Sequence, residues 1–201
     1  MAFNPKYSVN LIQVFNRVFG GKPREVRRDM RKTVLTEQFK RDFGIRAIDK
    51  IVDRSKSGID KNGKRFPGYS QSYISSLEFQ IYGKSPGTVN LTLTGEMLAS
   101  MEIRTTGRGL SIEMADQDNA DKAHGIITGQ QGKWGKRRDF LGLPQSDENE
   151  IMRRVMEINY SPSQSLLNLL SETAVGGEGG IAGEGEAVQL SQTFRDLFLG
   201  A

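Results

Sequence analysis

The chain has 201 residues, 28 Lys/Arg against 24 Asp/Glu, one histidine and no cysteine. That composition excludes disulfides, thiolate metal sites and multi-histidine metal centres. It also allows only one domain of ordinary size with room for an appended arm.

A mean hydropathy of −0.48 is lean for a self-sufficient globule of this length. Some apolar surface is therefore expected to be covered by neighbouring subunits. Charge is polarised along the chain: residues 1–75 sum to +10, residues 76–140 to zero and residues 141–201 to −6. Such polarity suits head-to-tail contact between copies, or a basic surface facing nucleic acid. Met1 to Phe19 lacks the continuous apolar run of a signal peptide, and no stretch approaches the roughly 20 residues needed to cross a bilayer. The expectation is a protein made in the cytoplasm, without a membrane partner.

Asn4-Pro5 is read as the opening of a short helix, since proline fits a first helical turn. Leu11, Ile12, Phe15, Val18 and Phe19 line one face of it, and Gly20-Gly21 ends it. Pro23 opens a longer helix expected to reach about Arg54, with Val26, Met30, Val34, Leu35, Phe39, Phe43, Ile48, Ile51 and Val52 apolar. Gly44 inside this pattern is the expected bend or break. Arg24, Arg27, Arg28 and Arg31 fall at i, i+3, i+4 and i+7, making one helical face basic. That face is either solvated or a contact for DNA phosphates or an acidic subunit surface.

Ser55 to Tyr69 reads as a loop with a tight turn at Asn62-Gly63. Tyr69 to Tyr82 reads as a poorly patterned helix, followed by a turn at Lys84 to Thr88. Thr94 is expected to cap one or two helical turns running to Met101. Met101, Ile103 and Thr105 then alternate with Glu102, Arg104 and Thr106. After Gly107-Arg108-Gly109, Leu110, Ile112 and Met114 alternate with Ser111 and Glu113. This pattern predicts a β-hairpin with one buried face.

Asp116 to Asp121 reads as a polar connection, and Ala123 to Thr128 as either helix or strand. Gly129 to Arg138 reads as a basic loop in which Lys133, Lys136, Arg137 and Arg138 cluster with Trp134; a strand at Phe140-Leu141 should follow. Ser146 is expected to cap a helix with Asp147, Glu148 and Glu150 at its start and Arg153 and Arg154 beyond, in the order that suits the helix dipole. Its apolar stripe is Ile151, Val155 and Ile158. Pro162 should begin a further helix dense in leucine. Val175 to Ala187 is a Gly/Glu-rich tether, and Leu190, Phe194, Leu197 and Phe198 recur at i, i+4, i+7 and i+8 behind it. A tether ending in an amphipathic segment is the pattern of a docking arm.

Candidate chemistry is sparse. Any histidine-based catalysis would run through His124, yet no nucleophile or orienting carboxylate is singled out, so a packing or capping role is expected. Asp60-Lys-Asn-Gly63 lacks the third acidic ligand and closing glutamate of a calcium loop. Gly129-Gln-Gln-Gly-Lys-Trp134 lacks the spacing of a phosphate-binding loop. No catalytic residue, metal or cofactor is expected.

Four short patterns do stand in a definite order. Asp60, Gly63 and Phe66 mark a turn ending in an aromatic; Leu91, Thr94, Gly95, Leu98 and Ser100 lead into the hairpin; His124 follows; and Phe140, Leu141, Gly142 and Leu143 precede an acidic helix. This ordered set, over roughly residues 35–160, resembles the phage virion-morphogenesis, or tail-completion, family, small proteins of the neck between capsid and tail. Gly125 directly after His124, and Lys136-Arg137-Arg138 where the family has Pro-Ala-Arg, depart from its pattern.

The expected fold is α+β: a small antiparallel sheet packed against a long N-terminal helix and a C-terminal helix. The expected division is a helical extension at 1–22, a tail-completion-like domain at 23–175, and a tether plus arm at 176–201. The resemblance implies a structural virion protein that assembles as a ring, expected as a hexamer. The ring would complete or terminate the tail, joining tail-tube proteins to the head-side connector around a channel for DNA. The alternative is a non-specific nucleic-acid-binding protein acting outside the virion.

Overall fold

The computed structural model describes residues 3–92, 94–130 and 135–174. The expected tether and the arm residues Leu190, Phe194, Leu197 and Phe198 lie outside them, as do Lys133 and Trp134.

The architecture is α+β. A 3-stranded antiparallel sheet has the order β1 (Tyr7–Asn10), β3 (Gly109–Met114), β2 (Met101–Thr105). The predicted hairpin is present, with Ile103 opposite Ile112 and Met101 opposite Met114. Leu110, Ile112 and Met114 are buried, as their alternation requires.

The strand β1 replaces the helix start expected at Asn4-Pro5. Tyr7 pairs with Ile112 and Asn10 with Gly109. The Asn4 amide donates to the Met114 carbonyl at 3.0 Å, which extends that edge. Asn10 ends the strand and caps α1 (Leu11–Phe19), its side chain accepting from the Ile12 and Gln13 amides. Residues 3–22 supply an edge strand and a helix whose Leu11, Val14, Phe15 and Phe19 join the main core.

The long helix expected from Pro23 divides in two, as α2 (Arg24–Val34) and α3 (Glu37–Lys56). The break falls at Thr36, not Gly44. Thr36 adopts extended backbone and its hydroxyl accepts from the Phe39 amide at 3.2 Å, so a capping hydrogen bond replaces helical continuity. Gly44 has another task. A Cβ there would lie 2.7 Å from Ile103 Cδ1, so the missing side chain lets α3 press against the hairpin. Phe39, Phe43, Ala47 and Ile51, one per turn of α3, are each 0% exposed. Burying each of the large ones contributes about 1.5–3 kcal/mol.

Two short helices, α4 (Gln71–Ile74) and α5 (Leu77–Ile81), stand where one was expected; Ser70 and Ser76 cap them. Next comes α6 (Glu96–Ala99), whose cap residue is Gly95, with the Thr94 hydroxyl accepting from the Glu96 amide. Asp116 is a cap rather than part of a connection. Its carboxylate accepts from the Asn119 amide at 2.9 Å and starts α7 (Gln117–Thr128), which buries Ala120 and Ala123.

Phe140-Leu141 is not a strand. The Phe140 and Gly142 carbonyls accept from the Arg54 guanidinium at 2.9 and 2.5 Å, and the Asp139 carbonyl from the Lys61 amide at 2.8 Å. These partners remove the need for a sheet neighbour, and Phe140 is fully buried.

The helix α8 (Gln145–Asn159) begins behind Pro144, so Ser146 lies inside its first turn and does not cap it. Its buried residues are Ile151, Met152, Val155 and Met156, while Ile158 is 63% exposed. It packs on α1 and α3 and reaches the sheet directly where Glu148 accepts from the Tyr7 hydroxyl of β1 at 2.5 Å. Finally α9 (Gln164–Ala174) starts after Pro162, with Ser163 accepting from the Leu166 amide, and packs on α2.

Candidate functional site: a basic helix face and a cationic pocket

On α2, Arg24, Arg28 and Arg31 are exposed, whereas Arg27 is half-buried. None of the four forms an ion pair among the described residues. The opposite side of the helix is anchored. Val26, Met30 and Val34 are buried, and Asp29 accepts from the Tyr160 hydroxyl and the Ser163 amide, both at 3.0 Å. Burial alone would raise the Asp29 carboxyl, but the hydrogen bonds from Ser163 and Tyr160 and the nearby Lys32 outweigh it. They hold the carboxyl below its ordinary value. Burial and the Asp29 charge push the Tyr160 phenol up, so it stays a donor. The basic face is thus presented rigidly, with three arginines free to meet an acidic surface.

The second predicted cluster does not form one face. Lys136 donates to the Gly68 carbonyl at 2.9 Å, and Arg137 pairs with Asp139 at 3.6 Å. Arg138 turns inward, its guanidinium carbon 5.7 Å from the centroid of the Tyr69 ring.

That inward turn helps build a cavity of about 500 Å³ that sequence reasoning missed. Tyr69 and Tyr73 form one wall, with Phe79 packed edge-on against both. Leu91, Met97 and Ile126 supply apolar surface, and Glu96 and Lys122 also line it. Lys84 lies 5.6 Å from the Tyr69 centroid and donates to Asn90 Oδ1 at 2.8 Å. The Tyr69 hydroxyl in turn donates to the Asn90 carbonyl at 3.0 Å.

Burial, and then the Arg138 charge, pulls the Lys84 ammonium below its usual value; burial does the same to Arg138. The Arg138 Nε is buried without a hydrogen-bond partner. Neither cation is ion-paired among the described residues. The walls come from five separate stretches of chain, so no local spacing announced them.

The motif residues hold the fold. The Asp60 carboxylate accepts from the Asn62 and Lys64 amides, both at 2.8 Å, and Gly63 takes a φ of 79°. The turn then joins the last motif through a Lys61–Asp139 ion pair at 2.8 Å. Phe66, Leu98, Phe140 and Leu141 are buried. His124 packs on the Phe3 ring, with 4.7 Å between centroids. Among the described residues no group of His, Asp or Glu is placed to hold a metal, and no helix is long and apolar enough to cross a membrane.

Compared with protein-family models, curated proteins and solved structures, the chain matches none.

Proposed function

We propose that this protein is a structural component of a tailed-phage neck, which closes into a ring, expected as a hexamer. The ring completes or terminates the tail and joins it to the head-side connector around a DNA channel. The observation that carries the reading is the ordered set of motifs from Asp60 to Leu143. Surface features support it. Leu77, Ile81 and Tyr82 are 67%, 68% and 50% exposed at i, i+4 and i+5 along α5 and just beyond it, an apolar face of the kind that subunit contacts cover. Among the described residues the strands β1 and β2 each pair only with β3, leaving two sheet edges for further contacts.

Native mass spectrometry and negative-stain imaging of the full chain, across rising concentration, test the proposal. Closed rings with a central opening are expected. A monomer at every concentration, together with its absence from purified virions, would overturn it.

The exposed arginines of α2 favour one second reading, a free nucleic-acid-binding protein. Replacing Arg24, Arg28 and Arg31 by glutamate separates the two. These are surface positions, so each change should alter stability by no more than about 0.5 kcal/mol. If free DNA binding is the function, the slope of log affinity against log salt should fall by about 3, roughly 0.9 for each lost phosphate contact. Under the neck reading, ring formation or genome passage fails, and the isolated monomer shows no substantial DNA affinity to lose. Unchanged assembly and infectivity would make this face merely solvated.

A further inference from the structure

We propose that the Tyr73–Arg138 cavity is the receptor for the amphipathic C-terminal segment, residues 188–201, of a neighbouring copy. This deepens the ring reading and rests on it only in taking the donor to be a second chain.

The cavity has two halves. Tyr73, Leu91, Met97 and Ile126 offer apolar surface, while Lys84 and Arg138 offer positive charge that no carboxylate among the described residues pairs. A fitting ligand therefore carries a bulky apolar group with a carboxylate close by. The segment Phe194-Arg-Asp-Leu-Phe198 has both, setting Asp196 between two phenylalanines. Residues 176–201 as a whole carry Glu178, Glu184, Glu186 and Asp196 against Arg195 alone, opposite in sign to the cavity's cations. A volume of about 500 Å³ lies within the roughly 300–1,000 Å³ of sites that take compact ligands.

A nucleobase fits less well. Lys84 and Arg138 already lie over the Tyr69 ring, and Phe79 meets both tyrosines edge-on, so the faces on which a base would stack are occupied. The donor is taken to be another copy, as the ring reading requires; α9 packs on α2, whereas the cavity is walled by α4, α6, α7 and the turn at Lys84. Donation from each copy to the next is a head-to-tail contact, which a closed ring satisfies at every position.

The absence of cysteine makes a disulfide test clean. Full-length chains carrying Thr94→Cys, at the cavity rim, are mixed with chains carrying Gln192→Cys under mild oxidation. Docking raises the local thiol concentration, so the mixed disulfide should form at least about tenfold faster than with chains carrying Gln13→Cys, on the exposed side of α1. Adding Phe194→Ala and Phe198→Ala to the donor should remove that excess without touching the cavity. Lys84→Glu on the acceptor should do the same.

Equal rates at the two acceptor positions would overturn the proposal. So would rapid closure within single chains carrying both cysteines at high dilution, which would place the segment in its own cavity. Binding of oligothymidylate that Lys84→Glu abolishes, with cross-linking untouched, would also overturn it and assign the cavity to nucleic acid. Failure of the ring reading is distinguishable. Rings that persist after deletion of residues 176–201 sink the docking proposal alone, whereas specific paired cross-linking without rings sinks the ring alone.

Discussion

Replacing Gly109 by alanine is expected to destabilise the protein by about 3 kcal/mol or more, because an added methyl group would meet backbone more closely there than at any other described glycine. A Cβ at that position would meet the backbone of Val9: its carbonyl carbon would lie at 3.0 Å and its carbonyl oxygen closer still. No side-chain rotation relieves a clash with backbone, so β1 would have to move away from β3. The Tyr7–Ile112 to Asn10–Gly109 register would go with it, and so would the Asn10 cap of α1. Urea denaturation of Gly109→Ala against Gly107→Ala checks this. A Cβ on Gly107 would have no atom within 4 Å, so that variant should stay within about 0.5 kcal/mol of the parent. Equal midpoints for the two variants would mean that β1 contributes nothing to stability.

Asp29→Ala is expected to cost about 3 kcal/mol at neutral pH. It removes the charged acceptor of two hydrogen bonds, from the Tyr160 hydroxyl, on a residue only 1% exposed, and from the Ser163 amide. The sign of the pH dependence follows from the direction of the Asp29 shift. Its folded-state carboxyl is held below the ordinary value, so its contribution is complete above the unfolded carboxylate range, near pH ~4. That contribution fades as pH falls through the lower folded value. The stability gap between parent and Asp29→Ala should therefore be flat from neutral pH to about pH 5 and shrink in stronger acid. Lys32→Ala serves as the comparison. Its ion pair with Asp29 spans 3.7 Å and the lysine side chain is 73% exposed, so its loss should cost well under about 1 kcal/mol. A large Lys32 effect would assign the stabilisation to the ion pair rather than to the buried hydrogen bonds.

Asp29 also shows why site and scaffold read differently from sequence. Spacing alone assigns Arg24, Arg27, Arg28 and Arg31 to one face, because a helix repeats locally, whereas the fold leaves Arg27 half-buried. What keeps that face in place is a carboxylate on α2 meeting a tyrosine more than a hundred positions later, and no local pattern encodes such a pairing. Likewise Lys136, Arg137 and Arg138 are neighbours in the chain yet take three separate partners once folded. The cavity beside Arg138 was invisible for the same reason. Tyr69, Lys84, Met97 and Ile126 become a set only when α4, α6 and α7 gather around them.

What the sequence determined by itself is whatever closes within a few residues. The 101–114 hairpin follows from strict alternation around Gly107-Arg108-Gly109, α1 from its apolar stripe, and the Asp60 turn from an Asn-Gly pair and a carboxylate able to reach nearby amides. The tertiary structure decided what depends on a distant partner. Tyr7–Asn10 became a strand because β3 offers an open edge and a glycine where the backbones meet. The stretch from Asp139 to Gly142 stayed out of the sheet because Lys61 and Arg54 satisfy the carbonyls of Asp139, Phe140 and Gly142. Four-residue segments carry too little intrinsic preference to choose for themselves. Their backbone groups must be paired somewhere, and the fold supplies the nearest donor or acceptor.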